Sequence, residues 1–306
     1  MNLLYFLNYL ILATFLALFF IELGVSMLIL GNTNIRKKLL EFINPLWEVN
    51  GTFAIFYVVN LEASFPLLIP AIASLYEAPL LIGIIMLLLR NAFIVYSEYV
   101  ASDSDSSVYS KVYAVATLAI GAIAVSVLTS FIWGIGINSS TMTVDLFYIV
   151  FNPFNVTIAA LVLLIILQLT SKMFAENIKF ITNTYSIFVS FSLLAATIYL
   201  YSTAIFPVQL MLAWYVVSVI SLIVYFAYLS KRETLRIKAG IANTLFIIFL
   251  FSMLTYPNAI GGKLDLNAYS AAPSMALAIE LISICGAAFL AFALYYFVRI
   301  NYSKSY

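Results

Sequence analysis

Three glutamates lie inside long apolar runs of the sequence, where a carboxyl group is unusual: Glu22, Glu62 and Glu280. An ionised side chain within a bilayer is costly, and such residues usually face the protein interior or a hydrated path. A carboxyl group that is removed from water also holds a proton more readily. The chemistry that these residues offer is therefore the uptake and release of protons. The alternative role is structural, in which a neutral glutamate forms a hydrogen bond between helices or lies nearer the interface.

Two more charged residues lie close to the ends of apolar runs. Glu48 follows Trp47 and acts either as a proton-collecting carboxylate at an entrance or as an acidic residue in the first turn of a helix. Arg90 either extends toward the interface or pairs with a carboxylate on the same side, such as Glu48 or Glu98. We favour a structural ion pair for Arg90.

The residue types that are missing narrow the chemistry. The 306 residues include no histidine and one cysteine, Cys285. A haem bound through a histidine of this chain, a histidine-ligated zinc site and a Ser–His or Cys–His catalytic pair are all excluded. We therefore expect no catalytic residue, cofactor or metal in this chain alone.

The composition excludes further classes of protein. Hydrophobic residues make up 65% and charged residues 9% of the chain, whereas soluble domains average roughly 45–50% and about 25%. Such a chain is not a soluble enzyme. A net charge of +1 without a basic cluster outside short loops argues against a nucleic-acid partner.

The apolar runs predict an all-α polytopic membrane protein with nine transmembrane helices, since a span needs about 20 apolar residues. No loop is long enough for a soluble domain, so residues 1–306 are expected to form a single integral membrane domain. The first run is too long, and lacks the preceding positive charge, for a cleaved signal peptide. The predicted spans are 3–30, 51–74, 77–97, 112–137, 154–171, 180–204, 207–229, 240–256 and 274–300.

The basic residues predict the orientation. With nine spans, all of the 14 lysines and arginines except Lys263 fall on one side of the membrane. By the positive-inside rule, the N-terminus is then outside and the C-terminus cytoplasmic in a cell membrane. Two polar signals have structural interpretations: Asn152-Pro153 is a typical helix start, and Gln168 is expected to form an interhelical hydrogen bond.

Several motifs, in order along nearly the whole chain, resemble subunit II of cytochrome bd-type quinol oxidases. The segment Glu22–Leu28 resembles the acidic-x-Gly-Val-x-Met-Leu signature of that family's first helix, and Pro45–Asn50 resembles its Pro-His-Trp-Asp-Gly-Asn motif. Three other features fall at matching places. They are Phe65-Pro66 with Arg90, Asn152-Pro153-Phe154 with Gln168, and Tyr256-Pro257-Asn258 with Asn267-Ala268 and Ala271-Ala272.

The resemblance implies a fold of two four-helix bundles plus one peripheral helix, and a haem-free subunit paired with a haem-bearing subunit I. Small accessory membrane subunits and a structural quinone or lipid are further expectations. It implies that Glu48 is the entrance and Glu22 the relay of a proton pathway to the partner's oxygen-reduction site. Trp47, Asn50, Arg90 and Gln168 are then structural or interface residues.

The sequence also departs from the family pattern. The motif histidine is Leu46, its glycine is Val49, and the glutamine that follows it is Gly51. Glu62 has no counterpart and is a candidate for an additional proton relay.

Two alternative functions remain open at this point. A proton-coupled secondary transporter would use the same carboxylates, and it predicts broken helices at paired positions of two halves. A purely structural membrane subunit would share the fold of a quinol oxidase subunit, but Glu22 and Glu48 would not matter for turnover.

Overall fold

The computed structural model describes residues 3–31, 35–100, 103–138, 141, 143–174, 184–228 and 233–303. The helices are α1 Leu3–Gly31, α2 Arg36–Ser64, α3 Leu68–Leu75, α4 Glu77–Val95, α5 Asp103–Trp133, α6 Leu146–Phe151, α7 Pro153–Met173, α8 Thr184–Ser202, α9 Val208–Tyr228, α10 Glu233–Thr255 and α11 Pro273–Ser303. A π-helical segment, Tyr96–Val100, follows α4. We call the side at which α1 begins the upper end and the side at which α1 ends the lower end.

Two small antiparallel hairpins lie at the upper end. Strands β1 Ile137–Asn138 and β2 Thr143–Val144 form one, and β3 Asn258–Ala259 and β4 Leu264–Asp265 form the other. The second hairpin is fixed to the end of α5, since the backbone N–H of Gly261 donates to Ile132 O at 3.0 Å.

The predicted number of spans agrees with the structure. Eight helices in the described part of the chain are each long and apolar enough to cross a membrane. Helices α2 and α3 together count as one further, broken span, which brings the number to nine. This pair is bent by 118°. The bend follows Ser64, and Pro66 lies within it, where a proline removes a backbone donor and restricts the residue before it.

Several predicted boundaries were wrong. The second span was placed at 51–74, but α2 already begins at Arg36 and ends at Ser64. The fourth and eighth spans likewise begin earlier than predicted, at Asp103 and Glu233. In all three cases the helix continues into a polar segment, which the search for apolar runs assigned to a loop. The predicted limits at 180 and 229 lie outside the described residues.

The spans form two four-helix bundles and one peripheral helix. The first bundle contains α1, α2, α4 and α5, and the second contains α7, α8, α9 and α10. Helix α11 packs against α2 and α1. Because α1 contacts α7 and α10 as well as α2 and α5, it joins the two bundles. It is the most buried of the spans.

Helix α1 packs closely on α7 at Gly24. A Cβ atom at Gly24 would lie 2.7 Å from Thr170 Cβ and 3.0 Å from Ile166 Cγ2. We expect Gly24→Ala to destabilise the protein by about 1–3 kcal/mol, the usual cost of overpacking, measured as the thermal unfolding midpoint of the purified protein. Gly31→Ala is the matched control on the same helix, since no atom lies within 4 Å of a Cβ there. Equal midpoints for both variants would contradict the predicted contact.

Candidate functional site

Glu22 lies on the central helix α1 and is completely buried, at 0% exposure. Three neighbouring helices direct polar side chains toward it: Asn50 from α2, Arg90 from α4 and Tyr113 from α5. Glu22 therefore lies where all four helices of the first bundle meet. Among the described residues, no other interior carboxylate is surrounded by polar side chains from three helices.

Both oxygens of Glu22 accept hydrogen bonds. Oε1 accepts from Arg90 Nε at 2.6 Å and from Tyr113 Oη at 2.8 Å, and Oε2 accepts from Asn50 Nδ2 at 2.9 Å. Arg90 Nη2 also forms an ion pair with Oε1. Arg90 itself is only 3% exposed, so the two charges compensate each other away from water. We call Glu22, Asn50, Arg90 and Tyr113 the glutamate cluster.

Arg90 connects this cluster to the lower end of the first bundle. Its guanidinium carbon lies 5.9 Å from the centre of the Trp47 ring, a distance at which cations and aromatic faces attract each other. Trp47 also lines a pocket of about 140 Å³, whose other lining residues are Glu48, Asn44, Pro45, Ile94, Val95 and Tyr99. Glu48 is exposed. The pocket thus brings an accessible carboxylate next to the residue that contacts Arg90.

Three buried polar atoms around this region have no hydrogen-bond partner within the described part of the chain. They are Ser26 Oγ, Asn50 Oδ1 and Asn44 Oδ1. Ser26 lies one turn below Glu22 on α1. Since buried polar groups in proteins are nearly always paired with protein or with ordered water, these atoms offer sites for water near the small pocket and near Glu22.

The upper half of the protein contains a second polar group and a large cavity. Asn8, Asn60, Ser64 and Ser283 form a buried hydrogen-bonded network that connects α1, α2 and α11. The cavity, about 430 Å³ in volume, lies between the bundles and is mostly apolar and aromatic. We call it the upper cavity. Its aromatic lining comprises Tyr5, Tyr9, Phe20, Tyr57, Phe65, Tyr76, Phe131, Trp133, Phe191, Trp214 and Phe251.

Comparison with known proteins identifies the family. The family model for cytochrome bd terminal oxidase subunit II matches residues 1–301. This chain belongs to that family. The resemblance that the motifs of Glu22–Leu28 and Pro45–Asn50 suggested is confirmed.

The fold of this subunit II family member is that of a known structure. A chain in the structure of bd oxidase from Geobacillus thermodenitrificans matches with a TM-score of 0.76 at 18% sequence identity, over 98% of each chain. At this identity the likeness shows the fold alone. No curated protein matches the sequence.

Membership places this subunit II chain in a terminal oxidase complex, a respiratory enzyme of the membrane, and implies a partner subunit I. The described residues contain no group of three histidine, cysteine, aspartate or glutamate side chains that could hold a metal ion.

The structure brings together four of the residues that the subunit II sequence singled out: Glu22, Trp47, Asn50 and Arg90. The expected ion pair of Arg90 exists, but the suggestion of Glu48 as its partner was wrong, because Glu22 on the central helix takes both Nε and Nη2. The side chain of Glu98 lies outside the described residues.

The other predicted residues lie elsewhere. Glu62 is exposed near the upper end of α2, and Glu280 is half-buried on α11. Gln168 forms the predicted interhelical hydrogen bond, since its Nε2 donates to Ser186 Oγ on α8 at 2.9 Å. The predicted helix start is also confirmed, with Asn152 Oδ1 accepting from the N–H of Phe154 at 2.8 Å.

Sequence reasoning missed Tyr113. It lies ten residues into α5, in no motif, and its hydroxyl group is one of the four donors to Glu22. Only a general signal in the sequence could have identified Tyr113. A buried carboxylate needs hydrogen-bond donors, and Tyr113 lies in the lower half of α5, at about the depth of Arg90 on α4.

Proposed function

We propose that this chain is the haem-free subunit of a bd-type quinol oxidase, which stabilises a haem-bearing subunit I and conducts cytoplasmic protons toward its oxygen-reduction site. The observation that carries the proposal is the fully buried Glu22, hydrogen-bonded on both oxygens and approached from the lower end through Trp47 and the pocket of Glu48.

The lower end is then the cytoplasmic side of the plasma membrane. The described lysines and arginines gather there, and Lys263 near the β3–β4 hairpin is the upper exception among the described residues. This distribution supports an N-terminus outside and a C-terminus inside by the positive-inside rule. The lower basic residues are Arg36, Lys37, Lys38, Arg90, Lys111, Lys172, Arg236, Lys238 and Arg299.

The proposed route has two steps within this chain. Glu48 takes a proton from the cytoplasm at the small pocket, and water bound to the unpaired oxygens of Asn44, Asn50 and Ser26 passes it to Glu22. Arg90 keeps a compensating positive charge beside Glu22, so that the carboxylate can await a proton without the full cost of an unpaired buried charge.

Glu62 has a separate place in the proposal. It lies 14 residues after Glu48 on α2, about 21 Å further along the helix. A relay at Glu62 would therefore act near the upper end rather than between Glu48 and Glu22.

The haems belong to the partner subunit in this proposal. The absence of histidine from the sequence supports this assignment, because the chain lacks the commonest protein ligand of haem iron. The upper cavity is large and apolar enough to receive the isoprenoid part of a structural quinone or a lipid chain. Small accessory membrane subunits could cover further apolar faces.

The transporter alternative receives less support. It predicts broken helices at paired positions, and the described residues contain one strongly bent pair, α2 with α3. We therefore do not propose transport.

Purification from the native membrane tests the proposal. We expect the tagged chain to bring a second large subunit, and the reduced-minus-oxidised visible spectrum of the sample to show haem bands. After the subunits are separated, this chain should be colourless. Recovery of the chain without any haem-bearing partner, or with haem bound to the isolated chain, would contradict the proposal.

A further inference from the structure

Helix α9 presents a stripe of polar side chains to the interior of the second bundle. Trp214, Ser218, Ser221 and Tyr225 are spaced by four, three and four residues. At about 100° per residue, these spacings place all four within an arc of roughly 60° on one face of the helix. Trp214, Ser218 and Tyr225 are at most 3% exposed. The polar atoms of this stripe are therefore removed from both lipid and bulk water.

Most of these side chains lack a protein partner. Trp214 Nε1, Ser218 Oγ and Tyr225 Oη have no hydrogen bond within the described part of the chain. Three polar atoms on other helices of the same bundle are in the same situation: Asn155 Oδ1 and Gln168 Oε1 on α7, and Arg236 Nε on α10. Ser221 is the exception on the stripe, since its hydroxyl group donates to Asn243 Oδ1 on α10.

The stripe connects two different environments. At the lower end, Tyr225 lies in the last turn of α9, and Arg236 lies in the first turn of the following helix, α10. At the upper end, Trp214 lines the upper cavity. Trp214 and Tyr225 are 11 residues apart, which is about 16 Å along the helix. The polar atoms therefore extend from the basic end of the second bundle to the cavity wall.

Unpaired polar groups are especially costly in this setting. Lipid offers them no hydrogen bonds, and each unsatisfied group within the hydrocarbon region costs several kcal/mol. A buried water molecule typically makes about three hydrogen bonds to such groups. Six unpaired atoms in the described part of one bundle, three of them on a single helix face, match the requirements of several bound water molecules better than those of a dry core.

We infer that the second bundle binds a file of water molecules along this face of α9, from Arg236 at the lower end to Trp214 at the wall of the upper cavity. Tyr225, the Ser221–Asn243 pair and Ser218 are the successive contacts of the file. The file provides a hydrated route from the lower side into the upper cavity. It is separate from the glutamate cluster of the first bundle, and it does not depend on the proton role proposed there.

Hydroxyl-radical labelling of the purified complex tests the inference, because radicals generated from bound water oxidise the side chains that touch it. We expect Trp214 and Tyr225 to be labelled several-fold faster than Phe42, when each rate is divided by that of the unfolded chain. Phe42 is the dry control, since it is buried in the apolar core of the first bundle and packs on Phe174. Protection of Tyr225 equal to that of Phe42 would overturn the inference.

A pair of substitutions tests the continuity of the file. Ser218→Val places two methyl groups in the path, and we expect it to slow the labelling of Trp214. Ser218→Ala removes the hydroxyl group but leaves room for water, so labelling should stay close to that of the unchanged protein. If Ser218→Val leaves the rate at Trp214 unchanged, water reaches Trp214 from the cavity alone and the file is not continuous. If Ser218→Val fails to assemble, the labelling rate of Tyr225 relative to Phe42 in the unchanged complex still tests whether water is bound there.

Discussion

Replacing Arg90 with methionine is expected to destabilise the protein by about 3–5 kcal/mol, the usual cost of removing one partner from a buried ion pair. Glu22 would keep a carboxylate at 0% exposure with Tyr113 and Asn50 as its remaining donors and no compensating charge. The measurement is the thermal unfolding midpoint of the purified complex, together with the amount of complex recovered from the membrane.

The double variant Glu22→Gln with Arg90→Met is the informative comparison. It removes both charges at once, so most of the stability should return. Lys111→Met controls for the loss of a cation, because Lys111 is an exposed residue near the start of α5. A double variant that is as unstable as Arg90→Met alone would show that packing, rather than charge compensation, explains the effect of Arg90.

Replacing Glu48 with glutamine is expected to lower quinol oxidase turnover by about 10²-fold, the contribution typical of a positioned proton-transfer group. Glu48 is the exposed carboxylate of the small lower pocket, and glutamine has nearly the same shape but cannot carry the proton. Turnover is measured as oxygen consumption per haem, so that loss of assembly is not mistaken for loss of transfer.

Glu41→Gln is the matched control for this prediction. Glu41 is an exposed glutamate seven residues earlier on α2, on the same side of the helix and outside the pocket. Its replacement changes the charge equally but should leave turnover unchanged. Full turnover in both Glu48→Gln and Glu22→Gln, with haem content intact, would leave the purely structural role as the correct one.

The spans could be predicted from the sequence because lipid imposes a simple requirement on length and polarity. Helix α1 agrees with its predicted limits to within one residue. The same requirement says nothing about where a helix ends in water. For this reason the early starts of α2 at Arg36 and of α10 at Glu233 were missed.

Most residues of the candidate site could be predicted from the sequence, but the contacts between them could not. Glu22, Asn50 and Arg90 stood out because charged or amide groups are rare in apolar runs and because of the family motifs. Which carboxylate Arg90 meets depends on how α4 is rotated and how deep it lies beside α1, and neither quantity is encoded in local spacing. Tyr113 was missed for the same reason, since nothing near it in the sequence indicates that α5 turns that residue toward α1.

The unpaired atoms of the second bundle were also beyond prediction. Trp214, Ser218 and Tyr225 are ordinary residues of an apolar span, and their shared face follows from helical spacing alone. Only the packed structure shows that no hydrogen-bond partner meets them within the described residues.

The order in which the helices are synthesised differs from the order in which they can pack around α1. The ribosome delivers this helix before the other spans described here, yet its neighbours α7 and α10 emerge long after it. Glu22 therefore enters the bilayer before α4 brings its ion-pair partner Arg90. The ion pair at the centre of the first bundle can thus form only after the third span has entered the membrane.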